Sequence, residues 1–195
     1  RVWAPGRRRV AVVLEEAARK IELTPSDGYF EGVVTDACAG TDYRFRLDDE
    51  KETYPDPASR FQPRGPHGPS RVIDPRTYRW QESAWRGIEL RGAVIYEMHL
   101  GTFTPEGTWQ AAQRELPELK NLGVTALEIM PIADFPGRFG WGYDGVNLFA
   151  PTRRYGTPDD ARALVNAAHE LGLAVILDVV YNHIGPDGNY LPLFS

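Results

Sequence analysis

Apolar and polar positions follow two different periods along this chain. In the first 80 residues the pattern is short and alternating. Tyr43, Phe45 and Leu47 alternate with Arg44, Arg46 and Asp48, the period of two expected of a strand with one buried face. Segments of the same kind predict strands at Arg9–Leu14, Arg19–Leu23, Tyr29–Thr35 and Tyr43–Leu47. Turn signals such as Ser26-Asp27-Gly28 and Ala39-Gly40-Thr41-Asp42 separate them. Short strands at this spacing predict a β-sandwich over residues 1–80, with Trp3, Tyr29 and Phe30 in its core. From Tyr54 to Pro69 the chain carries Pro55, Pro57, Pro63, Pro66 and Pro69. Each proline lacks a backbone donor, so an irregular arm is expected there rather than a central strand. Residues 81–92 read as a linker, with Trp80 and Trp85 expected to pack where the two halves meet.

From residue 93 to 195 the grammar becomes strand, loop, helix. Ala93–His99 is an apolar run that predicts a buried strand. Trp109, Ala112, Leu116, Leu119 and Leu122 fall at helical spacing within Thr108–Leu122. Pro117 interrupts that stretch and predicts a kink or a second helix start. Val124–Met130 is the second expected strand. Thr157-Pro158-Asp159-Asp160 reads as a helix start, with a capping hydroxyl, proline in the first turn and acids at the positive end of the dipole. Leu173–Tyr181 is the third strand. Three such units in a row predict a parallel sheet with crossover helices. A barrel and a doubly wound sheet both fit that pattern. The first strand is not followed by a glycine-rich phosphate loop, which disfavours nucleotide binding. A complete barrel needs about 250 residues, so the expectation is an incomplete (β/α)8 barrel.

The 195 residues carry a net charge of -5, which disfavours a nucleic-acid partner, because phosphate contacts need clustered Lys and Arg. No apolar run approaches the roughly 18 residues of a membrane helix. Cys38 is the single cysteine; this fits a reducing, cytoplasmic compartment. The opening at Arg1 without methionine and the stop at Ser195 after a loop lead us to expect a longer natural protein.

In parallel barrels the chemistry gathers at the carboxyl ends of the strands. There the third unit offers Asp178, Asn182 and His183, and alternation along an unbroken strand would put Asp178, Val180 and Asn182 on one face. An acid, an amide and an imidazole at such a mouth can grip the hydroxyls of a sugar ring. A calcium site and a purely structural role are the alternatives. The second loop, Pro131 to Gly156, sets Phe139, Trp141, Tyr143 and Phe149 among glycines. Flat rings suit the apolar faces of sugars, although they could instead pack the loop down.

Asp178-Val179-Val180-Tyr181-Asn182-His183 resembles a signature of the alpha-amylase family of glycoside hydrolases, as does Gly142-Tyr143-Asp144 with Phe149-Ala150-Pro151 and Tyr155-Gly156. Within that family the likeness is nearest to the maltooligosyltrehalose trehalohydrolases. It rests on Tyr96 to Thr108, on Phe135-Pro136-Gly137, on Trp141 to Val146, and on Asp56 to Pro63 with His67-Gly68-Pro69-Ser70. The resemblance implies an immunoglobulin-like, carbohydrate-binding-type sandwich and an α-glucan or maltooligosyltrehalose substrate. It implies substrate binding by Trp141, Tyr143, Asn182 and His183, with Asp178 and Asp144 in support. Family members retain anomeric configuration with two carboxyl groups about 5 Å apart. Those groups are expected after Ser195, so this stretch alone is expected to be inactive. No cofactor is expected. Some relatives use the amide at the position of Asn182 for calcium, but the acidic partners are not recognisable here. Branching and debranching enzymes share the layout and stay open, as does a non-catalytic glucan-binding module.

Overall fold

The computed structural model describes residues 1–17, 19–81 and 84–195. Glu82 and Ser83 of the expected linker lie outside the described residues. The N-terminal part comprises β1 (Val2–Trp3), β2 (Val10–Leu14), β3 (Arg19–Glu22), β4 (Thr24–Ser26), β5 (Tyr29–Glu31), β6 (Asp42–Leu47) and β7 (Ser70–Arg71). They form two antiparallel sheets, ordered β3-β2-β6-β7 and β1-β5-β4. In the first, Val10 faces Leu47, Val12 faces Phe45 and Leu14 faces Tyr43. The alternation turns Val10, Val12, Leu14, Phe45 and Leu47 toward Val2, Leu23 and Phe30, and together they form one core. The expected strand Tyr29–Thr35 is shorter, ending at Glu31. Trp3 departs from the expected core. It lies half exposed on the outer side, edge-on to Tyr29 with ring centroids 4.7 Å apart.

After a 3₁₀ turn at Pro75–Thr77, the C-terminal part runs β8 (Ile95–Met98), α1 (Leu100–Phe103), α2 (Trp109–Asn121), β9 (Ala126–Ile129), β10 (Ala133–Asp134), β11 (Asn147–Pro151), α3 (Pro158–Glu170), β12 (Ala174–Leu177) and α4 (Leu191–Phe194). Strands β8, β9 and β12 are parallel, with β9 in the middle. Helices α2 and α3 pack on each other and on one face of this sheet, burying Leu116, Leu119, Leu127, Ala168 and Leu173. Helix α3 begins with a full capping box, in which Thr157 Oγ1 accepts from Asp160 N and Asp160 accepts from Thr157 N. Among the described residues no helix is long and apolar enough to cross a membrane.

Several sequence expectations need correction. Helix α2 runs without a break through Pro117. Pro117 lies on the solvent side, where the carbonyl it leaves without a donor can bond to water. Leu122 is exposed just past the helix end. Strand β8 is covered on one face by the residues of this chain: Met98 is buried on the helix side, and Ile95 and Glu97 lie on the opposite face, which these residues leave uncovered. The third strand ends at Leu177, not Tyr181. Its neighbour β9 ends before Pro131, which has no N–H to donate, and Asp178 N to Ile129 O at 2.9 Å is the last rung. Asp178, Val180 and Asn182 therefore do not share one strand face. Trp80 and Trp85 pack on α3 rather than between the halves. Trp85 stacks on His169 at 4.3 Å, and Trp80 borders an apolar cleft with Ala161 and Val165.

The halves meet elsewhere. Phe194 of α4 is only 2% exposed, because it enters the N-terminal core beside Phe45, with ring centroids 6.0 Å apart. Phe194→Ala should therefore destabilise the N-terminal sheets by about 3–5 kcal/mol. Urea unfolding followed by fluorescence measures this, and a change below about 1 kcal/mol would exclude Phe194 from that core.

Candidate functional site

The candidate site lies where β9 and β12 release their chains. The second loop leaves β9 through the hairpin β10–β11. Buried Asp134 pins the root of that hairpin, with Arg153 Nη1 2.8 Å from Oδ1 and 3.1 Å from Oδ2. Burial pushes the Asp134 carboxyl up, and Arg153 opposes that shift. Arg153 also donates to Phe135 O, and Arg154 grips Gly137 O through Nε and Nη2. Gly142 then takes φ +93°, and a Cβ there would stand 1.9 Å from Pro131 O. Only glycine fits this approach, and the turn it allows throws Trp141 and Tyr143 to the surface.

The rings do not pack the loop down. Phe139 is 83% exposed, Trp141 68%, Phe149 65% and Tyr143 42%. Tyr143 is nevertheless fixed. Its hydroxyl donates to Asp178 Oδ2 at 3.5 Å, and its carbonyl accepts from His183 Nε2 at 2.8 Å. His183 Nδ1 lies 3.1 Å from the side-chain amide of Asn182. Four expected residues, Tyr143, Asp178, Asn182 and His183, are thus joined by contacts. Asn182 and His183 stay open to solvent. A cleft of about 220 Å³ beside them is lined by Gly142, Leu177, Asp178 and Tyr181.

Trp141 and Asp144 stand on the other side of the loop. They line a second cleft of about 470 Å³ with His99, Arg138 and Phe139. His99 was not among the expected site residues. It sits at the end of β8 with Nδ1 3.0 Å from Thr102 Oγ1. Its Nε2 donates to Gly140 O at 2.9 Å, and the Tyr155 hydroxyl lies 3.2 Å from the same nitrogen. Its ring leans on Trp141 at 5.5 Å. Thus His99 holds the aromatic loop from below. Two acids also escaped the sequence reading. Glu97 and Glu128 are direct partners across β8 and β9, on the face away from the helices. Their signal was a charge at an alternate position of an apolar run. Desolvation first, then the Asp178, Glu97 and Glu128 carboxylates, push the Tyr143 phenol above its ordinary value. Among the described residues, no three His, Cys, Asp or Glu side chains gather into a group that could hold a metal.

This arrangement provides a half-open aromatic plate, a carboxylate beneath it, and an amide and an imidazole at its edge. It suits a polyhydroxylated ring, which needs one apolar face covered and several hydroxyls matched.

Comparisons with known proteins give the family. A malto-oligosyltrehalose trehalohydrolase of Saccharolobus solfataricus is 49% identical over the whole chain, which spans 35% of that protein. One from Deinococcus radiodurans is 48% identical, again over the whole chain and 32% of the relative. The chain therefore spans about a third of the length of these curated relatives. A solved structure from Salmonella typhimurium, assigned to alpha-amylase, is 51% identical with a TM-score of 0.94, covering 99% of this chain and 33% of its own. The family model for the alpha-amylase catalytic domain matches residues 50–191. The chain belongs to the alpha-amylase family.

Proposed function

We propose that the protein carrying this chain hydrolyses the α-1,4 bond next to the trehalose end of a maltooligosyltrehalose and releases trehalose. The observation that carries the reading is the linked set Tyr143, Asp178, Asn182 and His183 at the carboxyl ends of a parallel sheet. Support for the specificity comes from the relatives that bear the trehalohydrolase name across the whole chain.

In this reading Tyr143 stacks under the sugar whose bond breaks, Asn182 and His183 bind its hydroxyls, and Asp178 supports Tyr143 from beneath. Trp141 holds a further sugar, with Asp144 supporting the turn. The nucleophile and the general acid belong to the two thirds of the relatives' length that this chain does not span. Residues 1–80 are read as an immunoglobulin-like sandwich, 81–92 as a linker and 93–195 as the first three units of a (β/α)8 barrel. The family match supports the barrel, and the order β8-β9-β12 with both crossover helices on one side is compatible with it. A cytoplasmic location completes the proposal and rests on the lone cysteine, Cys38.

Incubating the longer protein with a trehalose-terminated maltooligosaccharide should release trehalose, measured by chromatography. Cleavage of linear maltooligosaccharides without trehalose release would point to a plain amylase, and new branches on amylose to a branching enzyme. Residues 1–195 alone should show no turnover of either glucan, and any specific hydrolysis by them would place catalytic carboxylates within this chain. His183→Ala in the longer protein should lower kcat/KM by about 10²-fold, since it removes a sugar ligand and the tie to Tyr143 together. A loss below about threefold would take His183 out of the site.

A further inference from the structure

The proline-rich arm is far more ordered than its composition suggests, and the sugar site uses none of it. Asp56, Ser59, Gln62 and Ser70 are all buried. Tyr43 Oη donates to Asp56 Oδ2 at 2.6 Å, Asp56 N donates to Ser70 Oγ at 2.9 Å, and Ser70 Oγ donates to Gln62 Oε1 at 2.6 Å. Gln62 Nε2 reaches Gly65 O and Gly68 O, each at 3.3 Å. This network clamps the turn on both sides of His67, and Arg44 Nη2 holds the His67 carbonyl at 2.9 Å. A satisfied buried network of this kind rigidifies the backbone it encloses.

The one side chain this turn presents outward reaches the segment that follows the site. His67 Nε2 lies 2.9 Å from Asp187 Oδ1, and Nδ1 lies 2.7 Å from Tyr190 Oη. A single neutral tautomer satisfies both: Nε2–H donates to the carboxylate and Nδ1 accepts the phenol proton. The two rings meet at 90°. Next to them Pro66 abuts Gly188, where a Cβ would stand 2.6 Å from the proline ring. Further on, Arg7 Nε donates to Leu193 O at 2.7 Å before Phe194 enters the core. At its other end the same segment is tied to the aromatic loop by His183 Nε2 to Tyr143 O and by Gly185 N to Gly145 O at 3.1 Å. Only three residues separate His183 from Asp187, so a shift at one end is felt at the other.

We propose that His67 is a positioning residue for the sugar site proposed above: by gripping Asp187 and Tyr190 it fixes the loop that carries Asn182 and His183. The N-terminal sheets then serve the site as its frame, without touching substrate. The arm's buried polar network exists to hold His67 at the right height and angle.

A double-mutant cycle in the longer protein tests this. His67→Ala should lower kcat/KM for the glucan at least about tenfold, as a misplaced ligand pair does. In a background already carrying Asn182→Ala and His183→Ala, the same change should cost less than about threefold, because the groups it positions are gone. The shift in unfolding midpoint should be equal in both backgrounds. Tyr190→Phe, which removes one hydroxyl and keeps the ring, should act in the same direction if His67→Ala does not fold. An unchanged kcat/KM for folded His67→Ala, or an equal loss in both backgrounds, would overturn the proposal. The assay runs on trehalose-terminated and linear maltooligosaccharides in parallel. Cleavage of the linear glucan alone overturns the trehalose specificity and leaves the cycle to be judged on that reaction. A protein that binds and cleaves neither overturns the sugar site and the role of His67 with it.

Discussion

A hydrogen bond from the His183 imidazole to the Tyr143 carbonyl, 2.8 Å long, joins the two loops of the proposed sugar site. Neither loop has regular structure of its own where it carries these residues. One hangs from a hairpin rooted at buried Asp134, and the other leaves a strand whose last rung is Asp178 N to Ile129 O. A bond at this exposed position is worth only about 1 kcal/mol in stability. Its importance is geometric, because it fixes the aromatic plate and the polar edge in one frame. Everything assigned to the site requires those two to move together.

The framework around that bond uses few strong devices. Proline at 131 ends β9 and so ends the ladder that β12 could follow. Glycine at 142 lets the loop pass against Pro131. His99 and the Arg153–Asp134 pair hold the loop's base. The far side is held by His67, Arg7 and Phe194, all reached through one short segment after His183. The sheet face with Ile95, Glu97, Glu128 and Ile176 lies on Tyr143's side, and its carboxylates push the phenol above its ordinary value.

Much of this was legible in the sequence where a signal is local. The Thr157 to Asp160 run names a helix start and forms a full capping box. Alternation named Phe45 and Leu47 as core, and both are. The two motifs named Tyr143, Asp178, Asn182 and His183, which contacts join, while Trp141 and Asp144 line a separate cleft. Signals failed where the partner is distant in sequence. A tryptophan's size says that it will pack but not against what, so Trp85 went to His169 and Trp3 to an outer face. An apolar run such as Ala93–His99 says that a strand packs but not which faces this stretch of chain covers, so β8 was expected to be buried. An apolar run from Leu173 to Tyr181, interrupted only by Asp178, could not reveal that its neighbour strand stops at Pro131. His67 sits 123 residues from Tyr190, and no local pattern announces such a pair.

The most direct test is a crystal structure of the longer protein with a maltooligosaccharide bound. A glucose ring should lie over the Tyr143 face with its hydroxyls within hydrogen-bond reach of Asn182 and His183. A sugar bound elsewhere, with Tyr143 bare or with His183 detached from the Tyr143 carbonyl, would contradict this account.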